Sequence, residues 1–388
     1  MDEIWCFGFS RRIAEGYIPY RDYNIIITPL FFFIGALFSK SLAIYRLYGA
    51  LVNAAIPVIT YYYCEKNEID KQLSIVITFI NGFLILGLEA NYNYLLLVGM
   101  MISYISANRF FNNKNEKNSL LFGLSLSILL LIKQNVPAIL IVFFTCILCF
   151  LLLKQKISLK TFIFYALGGV TPVLILFIYL LINGSFIFFI DYTILGLNSF
   201  SNNFIFDKES LIAILPSLIN TIIITINLFK KESDGLINYS TLIYSLASYI
   251  IVFPIVNLPH AIILLVFNIF LSIPLMKNIR LKLKLVKVLV CFIYIIILIS
   301  GIIRKDKDYI RSEIQIYRNI LIKKDVEENI KLISEYIKEQ EEKGLDVSIL
   351  NAYAYLYTIP ANDNNGVLDL LSIGNVGTIS NREILSRY

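Results

Sequence analysis

Charged side chains are scarce in this chain, yet its opening stretch, MDEIWCFGFSRRIAEGYIPYRDYNIIITPL, gathers Asp2, Glu3, Glu15, Arg21 and Asp22. A carboxylate beside a hydroxyl or amine can take its proton, and cations beside a phosphate can stabilise it as a leaving group. Three cationic candidates lie further along. Lys133 ends the apolar run Ile128–Ile132 and is followed by Gln134 and Asn135; His260, the only histidine, follows Asn257, Leu258 and Pro259; Arg46 lies near the start of an apolar run. Each has a plainer reading: a solvated loop with a local Arg21–Asp22 ion pair, a lysine snorkelling to the headgroups, a histidine or arginine that merely meets them.

Long apolar runs separate these residues, so the runs decide what can bring them together. The 388 residues are 57% hydrophobic and 16% charged, where a soluble domain is nearer a quarter charged, and this excess cannot be hidden in one soluble core. The apolar blocks are roughly twenty residues long, enough to cross a hydrocarbon core of ~30 Å as helices. Thr161–Leu181 holds no formal charge at all. An all-α polytopic membrane protein follows, with about ten spans expected near 42–63, 72–89, 92–108, 119–133, 136–153, 161–183, 210–228, 238–257, 260–277 and 286–303.

Alternate loops carry the cations: Arg109, Lys114 and Lys117; then Lys154, Lys156 and Lys160; then Lys277, Arg280, Lys282, Lys284 and Lys287. These loops are expected in the cytoplasm. The opposite set, with the loop 184–209 (Asp191, Asp207 and Glu209 against Lys208) and the turns near 90, 134 and 258, then faces outward, as do residues 1–41 and the hydrophilic tail 304–388. Residues 4–14 mix aromatic and cationic side chains as an interfacial helix does, and 25–38, interrupted by Pro29, reads as a second partly embedded segment. The domains expected are thus an outer interfacial loop over 1–41, a transmembrane helical domain over 42–303 and a small α/β extension over 304–388. The extension combines a helical Glu327–Lys343, a strand-like Asp346–Leu350 and a turn-rich Pro360–Gly366.

The net charge of +6 reports topology here and not a nucleic-acid partner. The cysteines, Cys6, Cys64, Cys146, Cys149 and Cys291, lack metal-ligand spacing and imply neither a disulfide framework nor a zinc site. Asp363, Asp369 and their Asn- and Gly-rich surroundings do not fit an EF-hand loop; turn chemistry accounts for them.

An acidic pair (Asp2-Glu3), an interfacial helix, the run Gly16 to Asp22 with Pro19, Tyr20, Arg21 and Asp22, then Pro29-Leu30 and Arg46 in the next helix, resembles the first external loop of GT-C superfamily glycosyltransferases. That superfamily includes protein mannosyltransferases, the lipid A aminoarabinose transferase and many bacterial envelope enzymes. The resemblance covers roughly residues 1–60 in order of motifs and 1–303 in topology. It implies transfer of a hexosyl or pentosyl group from a polyprenyl-phosphate sugar to an extracytoplasmic glycan, lipid or protein acceptor, with inversion. The catalytic role falls to the acidic pair, Asp2 as general base with Glu3 and Asp22 supporting it; Tyr20, Arg21, Arg46, Lys133 and His260 are expected to bind substrate. No cofactor is implied, and a divalent metal is left open.

The family begins with a spanning helix before its acidic pair, and that helix is expected to be missing here. This leaves an inactive membrane scaffold as one alternative. A transporter or flippase of lipid-linked sugars is the other; it predicts internal repeats and charge buried within broken helices, whereas the charges here gather at the outer boundary.

Overall fold

The computed structural model describes residues 2–23, 25–86, 91–196, 205–230, 235–277, 309–314, 317–318 and 320–345. The apolar runs fold as helices, and polar residues at their starts set where they begin. α1 (Asp2–Ala14) and α2 (Leu30–Ala36, entered at Pro29) precede α3 (Leu42–Lys66), whose N-cap Ser41 accepts a hydrogen bond from the Ile44 N–H. Asp70 caps α4 (Lys71–Leu84), Asn91 caps α5 (Tyr92–Asn112) and Asn115 caps α6 (Glu116–Ile132). α7 (Asn135–Leu153) leads to α8 (Leu159–Ile182), capped by Ser158, and then to α9 (Phe186–Ile190), which runs into a π turn over Asp191–Leu195. α10 (Leu211–Lys230), α11 (Gly235–Ser248) and α12 (Leu258–Ser272, capped by Asn257) follow.

Among the described residues six segments are long and apolar enough to cross a membrane: Leu42–Lys66, Tyr92–Asn112, Asn135–Leu153, Leu159–Ile182, Lys208–Ile226 and Leu258–Met276. Their outer faces leave large apolar side chains uncovered, among them Phe143 and Phe150 on α7, Ile175 and Ile178 on α8, and Ile212 and Ile219 on α10. Water would penalise such a surface and hydrocarbon does not. The chain is a multi-pass helical membrane protein.

Three sequence expectations meet differences. The helix expected over 72–89 ends at Leu84. The one expected over 238–257 ends at Ser248 and a 3₁₀ turn, Tyr249–Ile251, because Pro254 cannot continue a helix and turns the preceding residue away from it. Beyond it, β2 (Ile255–Val256) pairs in parallel with β1 (Ile205–Phe206). The aromatic face of α1 is covered by protein: Trp5 meets Phe32, Phe7 meets Tyr45, and Cys6, Phe7 and Phe9 are fully buried. Gly35 of α2 lets Ser10 and Tyr45 approach so closely that a Cβ there would stand 2.5 Å from the Ser10 hydroxyl oxygen and 2.9 Å from the Tyr45 ring. The span expected over 286–303 lies outside the described residues.

The tightest helix contact joins α6 to α8. A Cβ added to Gly123 would collide with the Tyr165 carbonyl oxygen, and one added to Gly168 with that of Leu120, so these positions admit only glycine without displacement. α11 is held differently, by neutral hydrogen bonds along one buried face. Ser240 donates to Asn108, Thr241 shares a bond with Tyr104, Tyr244 with Ser103, and Ser245 donates to Asn268.

The helix ends sort into two sets. At one end Lys277 donates to Glu68 (2.6 Å), Arg109 to the Tyr62 hydroxyl (2.7 Å), and Lys160 lies 3.4 Å from Glu116. The other end collects the starts of α3, α5, α7 and α12 with the C-terminus of α6. In the tail, β3 (Tyr309–Arg311) pairs antiparallel with β4 (Leu321–Lys323), and α13 (Lys324–Glu342) buries Ile330 and Ile337. The strand-like 346–350 and turn-rich 360–366 lie outside the described residues.

Candidate functional site

The second set of helix ends is where the sequence candidates converge. Lys133 is the C-cap of α6, where its backbone leaves the helix and its side chain can reach α5. Its ammonium donates to Asn93 Oδ1 (2.9 Å) and lies 5.2 Å from the centroid of the Tyr92 ring. Asn93, fully buried in the first turn of α5, meets His260 Nε2 through its Nδ2 (3.1 Å). On α12, His260 Nδ1 lies 2.6 Å from Asn257 Oδ1, which also accepts from the His260 backbone N–H (3.1 Å). Lys133 and His260 are therefore joined through Asn93, although 127 positions separate them (260 − 133).

Gln134, the next residue, ties this cluster to two loops. Its Nε2 donates to the Ile26 carbonyl (2.8 Å) and to that of Thr193 (3.0 Å). The opening stretch and the turn holding the fully buried Asp191 are thus fastened to the same helix end as Lys133.

Within the opening stretch each described carboxylate has a cation. Glu3 accepts through both oxygens from Arg46, from Nε at 3.1 and 3.0 Å and from Nη2 at 2.8 Å. The acid's side chain is 8% exposed and the guanidinium's 47%, so the pair spans from the interior to the surface. Asp22 accepts from Arg21 Nε (2.8 Å) and Nη2 (3.1 Å) and closes its own turn by accepting from the Ile18 N–H (2.7 Å). Glu15 pairs with Arg11 (2.7 Å). Asp2 opens α1, one position before Glu3.

Tyr20 sits beneath this surface. It holds a positive φ of 70°, is buried, donates its hydroxyl to the Ile27 carbonyl (2.7 Å) and packs its ring edge-on against Phe189. Burial raises its phenol pKa well above the usual value, with Tyr23 and Tyr179 adding to the effect. Tyr23 stacks on Phe9, and the Arg12 guanidinium stands 5.9 Å from the Tyr17 ring and 5.8 Å from that of Tyr23. The turn 17–23 is a folded platform that holds Asp22 and Arg21 outward.

The arrangement offers an ammonium held by Asn93 and, on the opening stretch fastened to the same helix end through Gln134, carboxylates held by arginines. Among the described residues no three His, Cys, Asp or Glu side chains gather as metal ligands. Asn93 and Asn257 are absent from the sequence expectations. Their one signal is position, each standing where an apolar run begins, and neither hydropathy nor charge marks them. No protein-family model, curated protein or solved structure matches the chain. What the fold and site define is a polytopic helical membrane protein with a polar, charge-bearing cluster at one membrane face.

Proposed function

We propose that this protein is a membrane glycosyltransferase that moves a sugar from a polyprenyl-phosphate carrier to an extracytoplasmic acceptor with inversion. The observation that carries the reading is the attachment of the acidic opening stretch to the Lys133 end of α6 through Gln134, Ile26 and Thr193. An inverting transfer needs a base for the acceptor and a cation for the departing phosphate, at the depth where a lipid phosphate lies.

In this reading Asp2 takes the acceptor's proton, Glu3 and Asp22 support it, Arg21 and Arg46 hold those carboxylates, and Lys133 meets the phosphate. The cluster faces outward, about ten spans carry it, and the tail forms a small α/β extension on the same side. A transporter would need charge within the spans. Among the described residues the charged groups of the spanning helices stand at or near helix ends, which favours chemistry at the interface.

The test is turnover of synthetic polyprenyl-phosphate sugars by the purified full chain, read as released polyprenyl phosphate. Asp2→Asn should lower turnover roughly 10²–10⁴-fold with donor binding little changed, and Lys133→Ala should weaken donor binding. Activity kept by Asp2→Asn and abolished by Asp22→Asn would move the base to Asp22. Activity kept by both would remove the site. Cysteine labelling that put the Lys154–Lys160 loop outside would reverse the orientation.

A further inference from the structure

The hydrogen bonds around His260 admit one arrangement of protons. The His260 backbone N–H can only donate, and its partner at 3.1 Å is Asn257 Oδ1; Nδ1, 2.6 Å from the same oxygen, must therefore carry a hydrogen. At the far end of the chain of contacts, the Lys133 ammonium also can only donate. The atom 2.9 Å from it must be the Asn93 oxygen, which turns the Asn93 NH₂ toward His260 Nε2 at 3.1 Å. Nε2 then receives that bond with its lone pair. A hydrogen on Nε2 would point at the Asn93 NH₂, and turning the amide over to relieve this would point the NH₂ at the ammonium.

We propose that His260 is a positioning residue: as the neutral Nδ1–H tautomer it fixes the Asn93 amide, which in turn fixes the Lys133 ammonium where a prenyl-linked phosphate binds. Asn93 is fully buried and His260 half-buried, so an unpaired amide there would cost more than an exposed one. The ring acts through Lys133 and gives no proton to the departing phosphate, since its protonated nitrogen is spent on Asn257. That the ligand is a lipid phosphate rests on the glycosyltransferase reading; the tautomer does not.

His260 is the only histidine, so ¹⁵N-histidine labelling of the full chain in nanodiscs yields the signals of this one ring. Nε2 couples to both ring C–H protons and Nδ1 strongly to one, which identifies the protonated nitrogen. A proton on Nδ1 alone is expected; a proton on Nε2, or on both nitrogens, overturns the proposal whatever the enzyme does. Binding is read by titrating farnesyl phosphate, with inorganic phosphate as the second titrant. His260→Gln keeps an acceptor for Asn93 and should bind farnesyl phosphate within about threefold of the unaltered protein, while His260→Leu should bind about tenfold more weakly. Equal losses in the two variants, or none in either, overturn the positioning role. Unaltered protein that keeps the Nδ1–H tautomer yet binds farnesyl phosphate no better than inorganic phosphate overturns the lipid-phosphate ligand and with it the donor reading.

Discussion

Each end of the helical body carries an ion pair that joins distant parts of the chain, and the two pairs differ in burial. Glu3 and Arg46 meet with the acid 8% exposed, whereas Glu68 and Lys277, at the opposite end, are 76% and 56% exposed. The surroundings differ in the same way. At the Lys133 end, amides whose donor and acceptor roles cannot be exchanged hold the cluster: Asn93 fixes the Lys133 ammonium, Asn257 the His260 ring and Gln134 the two loops. At the other, Lys160–Glu116 and Arg109–Tyr62 are exposed contacts of long flexible side chains. Cations at a membrane surface set topology whatever their partners; among the described residues Lys133 and Arg46 at the first end meet buried partners and those of the second do not, and preorganised charge is what the proposed transfer would need.

The largest effect should come from separating what both ends share. α6 carries Glu116 at one end and Lys133 at the other, and its packing on α8 depends on Gly123 and Gly168. Gly168→Leu would drive a side chain against the Leu120 carbonyl, so we expect destabilisation of about 3 kcal/mol, read as loss of monodisperse protein and a lowered Tm. A normal Tm would mean that α6 and α8 can part without consequence to either end. Next is Arg46→Ala, which leaves Glu3 buried without its two-pronged cation. Breaking a fully buried pair costs about 3–5 kcal/mol; because Arg46 is half-exposed, about 2 kcal/mol is expected, with Glu3→Gln added to it recovering part of the loss. Thermal unfolding of the two single variants and the double variant checks this, and additive losses would deny that the residues interact.

Much of this architecture is legible in the sequence because apolar length acts locally. The span expected over 42–63 is observed at Leu42–Lys66 behind Ser41, and that over 161–183 at Leu159–Ile182 behind Ser158. The helix expected over 238–257 stops short because Pro254 ends it, although the apolar run continues past that residue. α1 misleads because Trp5, Phe7 and Phe9 suit a headgroup layer as well as a protein surface, and only tertiary contacts with Phe32 and Tyr45 decide between them. Charge marked Lys133, His260, Glu3 and Arg46 as candidates. The asparagines around Lys133 and His260 carry no charge, and their importance exists only once α5, α6 and α12 stand together.

A third variant separates polar groups that bind helices from those of the proposed site. Asn268 accepts from Ser245 (2.7 Å) and Thr221 (3.3 Å) and donates to Ser248 (3.2 Å), forming a closed neutral network between α10, α11 and α12. Hydrogen bonds between membrane helices are worth about 0.6 kcal/mol on average and ~1.7 at most. Asn268→Leu should therefore cost about 1 kcal/mol in unfolding and leave farnesyl phosphate binding unchanged. A loss of binding without a loss of stability would extend the site into the spans.

The smallest effect is expected at the exposed pair. Lys277, 2.6 Å from Glu68, donates to its carboxylate and lowers its pKa from the usual value. A depressed carboxylate pKa contributes stability above the unfolded-state value of about 4.3 and loses it as pH falls through the lower folded-state value. At neutral pH the contribution is thus fully present, but salt and water screen it because both side chains are exposed. Lys277→Ala should leave the Tm at neutral pH and physiological salt within measurement error of the unaltered protein. Its unfolding curve should separate from the parent only at low ionic strength, and that separation should vanish when the medium is acidified below the carboxylate range. A clear loss of stability at physiological salt would show that the opposite end, too, is held by fixed charge, and the contrast between the two ends would fail.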